Sequence, residues 1–362
     1  MPGMSRRHLL ATVAAAGPTL ALPAAALAGR AGDAAASGPA SPPTANRSGL
    51  RWASGLTTQG GSGGDLDELR RWEAWRGRKV DIVNLKSRRK DGWEELVRSF
   101  RQKEETYDAL NREGVRVSQT LPMWPRRSGS DDPLGDARAG AFDRHHAEIA
   151  AMLAGYRPLP GMVLRLAHEC SSASQQDWMG VDPDRANFAA WKAAWRRIGS
   201  VYKEAIPGLL LEWNHIRRPG IDVRGGYPGD DLVDIVGVDS YNNKEEIGDD
   251  AGWDEYADRR KGGMPNGPRA WLRYAVGLGK KVGYAEWGIT NPEGAGHACD
   301  SARYVRGMHE LFRDEAGHVA YECYFNCRGV APVDHRLLAD DEPSARNPQA
   351  AVAYRHLWSV PG

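Results

Sequence analysis

Phenylalanine is scarce in this chain, five residues in 362, and cysteine is scarcer still at four. Four cysteines allow three disulfide pairings, and the sequence alone does not choose among them. None stands in a CxxC motif and no HExxH is present, so neither a metal nor another cofactor is expected. A dominant charge is missing too: 48 Lys and Arg face 47 Asp and Glu, which gives no bulk electrostatic reason to expect a nucleic acid or an anionic membrane as partner. Long apolar runs are absent after the first thirty residues, and the early one is interrupted by Gly17, Pro18 and Pro23, so no membrane span is expected. No GxGxxG follows the first apolar run, which removes the usual mark of a doubly wound dinucleotide-binding sheet.

What the chain does have is tryptophan, thirteen of them. A flat indole with one N–H suits either packing between layers or stacking on sugar rings, and packing is expected for about two thirds of them. The N-terminus carries Arg6-Arg7 ahead of an Ala-rich apolar stretch and an Ala26-Leu27-Ala28 cleavage pattern. Residues 1–28 therefore read as a twin-arginine export signal, and the Ala/Gly/Ser/Pro-rich residues 29–48 as a disordered linker. A single domain over 49–362, secreted and monomeric, is the expectation.

From Gly49 onward short β-rich runs alternate with longer amphipathic stretches. The runs lie at 50–57, 79–85, 115–121, 161–168, 209–214, 233–239, 282–287 and 318–325. Between them stand helical patterns at 65–77, 142–156, 186–205 and 302–315. Eight strand–helix units in about 310 residues predict one (β/α)8 TIM barrel, whose working residues sit at the C-terminal ends of the strands. The fourth run, GMVLRLAHEC, breaks off into His168 and Glu169 at that position. The seventh, KVGYAEWGI, ends in Glu286 across the ring. Two carboxylates converging on one cavity are the minimum equipment for glycoside hydrolysis, one giving a proton and the other attacking or activating water.

Period-two alternation places Arg165 one layer below Glu169, Tyr284 below Glu286, Asp239 below Tyr241 and Glu212 below Asn214. A barrel-core arginine needs a carboxylate, so Arg165 is expected to meet Asp239, Glu212 or Glu286. Pairing with Glu286 would hold that group ionised and make it the nucleophile. Trp124, Trp178, Tyr241 and Trp287 are candidate platforms for sugar rings. Among the cysteines Cys170, Cys299, Cys323 and Cys327, a Cys299–Cys327 bridge is the favoured pair, with Cys170 and Cys323 as reduced packing residues.

Arg165-x-x-His168-Glu169, the AW-rich helix after it, YPGDDLVDIVGVDSYN at 227–242 and YAEWG at 284–288 together resemble glycoside hydrolase family 26, a group of retaining barrel glycosidases. The resemblance runs over about residues 50–358. It implies Glu169 as general acid/base, Glu286 as nucleophile, His168 and Tyr241 as orienting neighbours, and an endo-acting β-glycanase, most often a β-mannanase. His168, Trp124, Trp178, Asn214, Tyr241 and Trp287 are then the substrate-binding set, with Arg165 and Asp239 in support. Two departures stand out. Cys170-Ser171-Ser172 follows the glutamate where family members often carry Met-Asn-Gly, and the eighth run ends in Tyr324-Phe325-Asn326-Cys327 without the tryptophan often found there. β-1,3-Xylan, mixed-linkage β-glucan or an exopolysaccharide are the rival substrates, and a non-catalytic carbohydrate-binding barrel is the rival class.

Overall fold

The alternation of short apolar runs and amphipathic stretches resolves into a closed ring of eight parallel strands. The computed structural model of the chain describes residues 46–58, 66–172, 188–242, 247–292, 299–328, 333–338 and 347–359. The expected export signal, nearly all of the expected linker, and Trp178 lie outside the described residues. The strands are β1 (Ala53–Thr57), β2 (Ile82–Leu85), β3 (Arg116–Leu121), β4 (Val163–Leu166), β5 (Leu210–Ile216), β6 (Ile235–Tyr241), β7 (Lys281–Gly288) and β8 (Val319–Phe325). Each pairs with the next, and β8 returns to β1 with Ala53 opposite Tyr321 and Thr57 opposite Phe325. This is the expected (β/α)8 barrel, with every strand falling on one of the eight predicted runs.

The helices cover the ring because each presents one apolar face. Helix Ala302–Asp314 starts where the Ser301 side chain accepts from Tyr304 N at 3.0 Å, and it buries Tyr304, Val305, Met308, Leu311 and Phe312, the spacing of a single stripe. Helix Phe188–Ala205 buries Trp191, Trp195, Ile198 and Tyr202 in the same way. Eight of the thirteen tryptophans are among the fully buried side chains, so tryptophan serves mainly to fill the layer between strands and helices. Among the described residues no helix is long and apolar enough to cross a membrane.

Two expectations are corrected here. The expected linker does not extend to residue 48: Ser48 is buried and donates from both its N–H (2.9 Å) and its hydroxyl (2.6 Å) to the carboxylate of Asp81. Asp81 also accepts from Ser54 N at 2.8 Å, so one buried carboxylate ties the incoming chain to β1. Replacing Asp81 with alanine strands three buried donors and is expected to cost roughly 3 kcal/mol, read as a lower midpoint in urea unfolding. The second correction concerns sulfur: Cys170, Cys299, Cys323 and Cys327 are all buried free thiols. Cys327 spends its thiol on Thr57 O at 3.4 Å and Cys170 sits 3.5 Å from His215 Nδ1, so the favoured Cys299–Cys327 bridge is not formed.

Candidate active site

Inside the ring the lowest layer is apolar, with Ala53, Ile82, Val163, Ile235 and Tyr321 packed together. One layer up, Arg165 on β4 points into the axis with no exposure. Its Nη2 donates to both carboxylate oxygens of Asp239 at 2.8 and 2.6 Å, and to Asn214 Oδ1 at 3.2 Å. Its Nη1 donates to Glu286 Oε1 at 2.9 Å and Asn84 Oδ1 at 3.2 Å, and Nε to Glu212 Oε1 at 3.3 Å. All three carboxylates expected as possible partners are used together, because one guanidinium fork has enough donors to reach β2, β5, β6 and β7 at once. Burial alone disfavours the arginine's charge, and the carboxylates of Asp239, Glu286 and Glu212 more than reverse this.

The space for this cluster comes from glycine. A Cβ on Gly237 would stand 2.1 Å from Glu212 Oε1, and one on Gly283 2.7 Å from Glu212 Oε2. A strand glycine here marks a close approach by a neighbouring side chain.

Glu286 is 5% exposed and has both oxygens engaged. Oε1 faces down to Arg165; Oε2 accepts from the Tyr241 hydroxyl at 3.0 Å and from Lys86 Nζ at 3.2 Å. Burial pushes the Glu286 carboxyl up, but Lys86 and Arg165 outweigh it and hold the group well below the usual carboxylate range. Burial, with the charges of Glu286 and Glu169 nearby, pushes Asp239 the other way despite Arg165. The network thus separates its carboxyls, keeping Glu286 as the anion.

Strand β7 does not alternate through this region. Its register against β6 and β8 shifts between Gly283 and Trp287. Ala285 joins the interior cluster and Glu286 follows it inward, while Tyr284 and Trp287 pack outward against Phe312. A bulge of this kind re-aims one side chain, and it frees the Ala285 carbonyl to accept from Asn84 Nδ2 at 3.4 Å. Two expectations fall with it. Tyr284 does not share a face with Glu286, and Trp287 is no sugar platform: it is fully buried, donates to Glu322 Oε2 at 2.6 Å and stacks on Trp358. Trp124 is likewise buried in the core, at 3% exposure, and leaves no ring face for a sugar.

Glu169 is reached by another device. β4 ends at Leu166, and the chain then passes through left-handed φ values at Ala167 (56°) and Glu169 (53°). Side chains with a Cβ seldom adopt that region, at a cost of about 1–2 kcal/mol each. The turn is pinned by Ala167 N to Leu121 O at 2.8 Å, Glu169 N to Asn214 Oδ1 at 2.7 Å and Cys170 N to Asn214 O at 3.1 Å. Asn214, fully buried, therefore holds the backbone of Glu169 with the same oxygen that meets Arg165. Glu169 itself is half-buried. Its charge and that of Glu286 both act on Asp239, Tyr241 and Arg89, so the two carboxylates lie near the same three groups.

His168 is buried, with Nε2 3.1 Å from Arg89 Nη1. Arginine only donates, so Nε2 accepts and the proton sits on Nδ1, which has no partner among the described residues. Burial, then Arg89 and Arg165, keep this imidazole neutral. The residues that sequence reasoning missed are Asn84, Lys86, Arg89 and His335. The first two follow Ile82 at spacing two along β2 and just beyond it, a legible signal; His335 lies on the loop after β8, its ring 4.8 Å from Tyr241, and nothing in the sequence marks it.

No sequence-family model matches the chain, and no curated protein matches it in sequence. Solved structures do. The catalytic domain of a Bacillus sp. glycoside hydrolase family 26 endo-β-1,4-mannanase superposes with a TM-score of 0.59 at 16% identity, covering 86% of each chain. A family 26 β-mannanase from Bacteroides ovatus gives 0.56 at 16% identity over 86% of this chain and 90% of that one. A Bacillus subtilis mannanase gives 0.55 at 16% identity over 84% and 85%. The barrel shares its fold with these family 26 structures. At such identity this is a statement about fold, and chemistry has to come from the site.

Proposed function

We propose that the chain is an exported retaining glycoside hydrolase acting on β-linked polysaccharide within the chain. One observation carries this reading: Glu286 at the C-terminal end of β7 has Oε1 on Arg165 and Oε2 on Tyr241 and Lys86, partners that favour its anion, while half-buried Glu169, just beyond the end of β4, acts on the same neighbours Asp239 and Tyr241. An anchored, ionised carboxylate fits a nucleophile. Glu169 fits the group that protonates the departing oxygen and then takes a proton from water. Tyr241 orients Glu286, Asn214 orients the backbone of Glu169, and neutral His168 offers a donor beside it. The barrel's likeness to structures named as endo-β-1,4-mannanases and β-mannanases supports a mannan-type backbone as the first polymer to assay.

Two net inversions at one carbon give retention, so proton NMR of early digestion products should show the β-anomer before mutarotation. The α-anomer appearing first would sink the double displacement. Export is proposed to run through the Arg6-Arg7 signal: replacing both with lysine should leave the protein in the cytoplasm, and normal secretion of that variant would refute the signal.

A further inference from the structure

With Oε1 of Glu286 turned down to Arg165, Oε2 is the oxygen that can meet an anomeric carbon. It carries a neutral donor in Tyr241 and also an ammonium, Lys86 Nζ at 3.2 Å. A cation on the attacking oxygen stabilises the ground state, whose charge is spent as the bond forms, and so opposes reaction. Lys86 is not a core residue fixed for support. Its side chain is 27% exposed, and Nζ lies 4.3 Å over the ring of Phe325 at the end of β8. A competing anion in the cavity can draw it off.

The segment that follows it carries mostly the same sign. Arg88, Arg89 and Lys90 follow Lys86; Arg88 pairs with Glu95 at 2.6 Å and Asp91 lies 3.9 Å from Arg127, so the cations still outnumber the acids here. A 2.8 Å hydrogen bond from Arg126 N to Arg89 O brings up the loop after β3, whose Arg126 and Arg127 are both exposed. The whole chain is near neutrality, at a formal +1, so this concentration of cations is local. Local cations at a cleft raise the concentration of anionic substrate there.

We infer that the polysaccharide taken by this site is anionic, a β-linked glycan bearing uronate carboxylates or sulfate esters, one of which pairs with Lys86 and releases Glu286 to attack. The inference rests on the retaining-glycosidase reading and specifies its substrate class. With Nζ on the substrate anion, Glu286 Oε2 bonds to the anomeric carbon. The glycosidic C–O bond breaks with its electron pair on the leaving oxygen, which takes the proton of Glu169. Water then gives a proton to Glu169 and its oxygen to the anomeric carbon as the ester to Glu286 breaks. One water is consumed per bond, and no other reactant is needed.

The test uses the secreted protein on paired polymers: uronate-bearing β-glycans beside their carboxyl-reduced forms, and sulfated β-glycans beside their desulfated forms, with β-mannan as the plain neutral chain. The acidic member of one pair should be cleaved with a kcat/KM at least about tenfold above its neutralised partner, and which pair shows it tells carboxylate from sulfate. That preference should shrink as sodium chloride is raised. Lys86→Met should lower the acidic-to-neutral ratio by about tenfold and Lys86→Arg should restore most of it. Equal or better cleavage of the neutral member, or an unchanged ratio in Lys86→Met, overturns the inference and leaves the glycosidase reading standing. Absence of turnover on every polymer overturns the glycosidase reading instead. Affinity electrophoresis in acidic and neutral gels then still decides the class, since retention by neutral gels alone would exclude an anionic ligand.

Discussion

Glu286→Ala is expected to lower kcat by at least about 10⁴-fold on every substrate, because Glu286 is the group proposed to form the covalent intermediate. Glu169→Ala should behave differently. On a polysaccharide, where the departing sugar oxygen needs a proton, the loss should be about 10²–10⁴-fold. On an aryl glycoside with a good leaving group the first step needs no acid, so it should proceed while the second, short of a base, becomes limiting. A burst of released phenol followed by slow turnover is the expected trace. Azide separates the two roles further. In Glu169→Ala it should intercept the glycosyl-enzyme and give a glycosyl azide of the substrate's own configuration. In Glu286→Ala it should enter where the carboxylate was and give the inverted one. Equal losses for the two variants on the activated substrate, with no azide product from either, would require the roles to be withdrawn.

The second large effect is on stability. Arg165→Met leaves Glu212, Asp239 and Glu286 buried in one layer without the guanidinium that all three contact. Removing one member of a buried charge cluster typically costs about 3–5 kcal/mol, so the thermal midpoint should fall by on the order of 10 °C. The deficit should depend on pH in a defined direction. Arg165 helps hold Glu286 below its usual range, and a carboxyl lowered in this way stabilises the fold above its unfolded pKa and loses that benefit as pH falls. Without Arg165 that benefit shrinks and the carboxyls take up protons to escape burial. The gap between wild type and variant should therefore be widest near neutrality and narrow below about pH 4. A constant gap from pH 4 to 8 would show that shape, and not charge, is what Arg165 supplies. If Arg165→Met does not accumulate, Arg165→Lys keeps one charge with fewer directions of donation and should show an intermediate deficit with the same pH trend.

Much of this was legible in the sequence because a barrel repeats one simple rule. Eight β-rich runs at regular spacing fixed the ring, and period two along β4, β5 and β6 was enough to point Arg165 at Glu212 and Asp239. What escaped lies where the backbone departs from the rule. The bulge in β7 sends Ala285 and Glu286 inward in succession, so counting by twos from Glu286 misplaced Tyr284, and a tryptophan next to a glutamate was read as cavity lining when it faces the helices. Glu169 is aimed by two left-handed residues beyond the end of β4, which no alternation describes. Lys86 lies one residue past the boundary of its strand, and reading the second run to its true inward series of Ile82, Asn84 and Lys86 would have found it. The thiols could not be paired from sequence because burial, more than spacing, decides their partners.

The closing contact of the ring has a consequence for how the chain is made. β1 begins at Ala53 and its partner β8 at Val319, 266 residues later, and the helix Pro348–Ser359 completes the seam. Its Trp358 Nε1 lies 3.1 Å from both Ser54 Oγ and Glu322 Oε1. At roughly 5–20 residues per second, a ribosome needs roughly 13–50 s to deliver β8 after β1. Throughout that interval the first strand has one open edge, and a row of unpaired amides and carbonyls invites pairing with another chain. The ring therefore closes last at this seam, and until then the edge of β1 has to be kept from pairing with another chain.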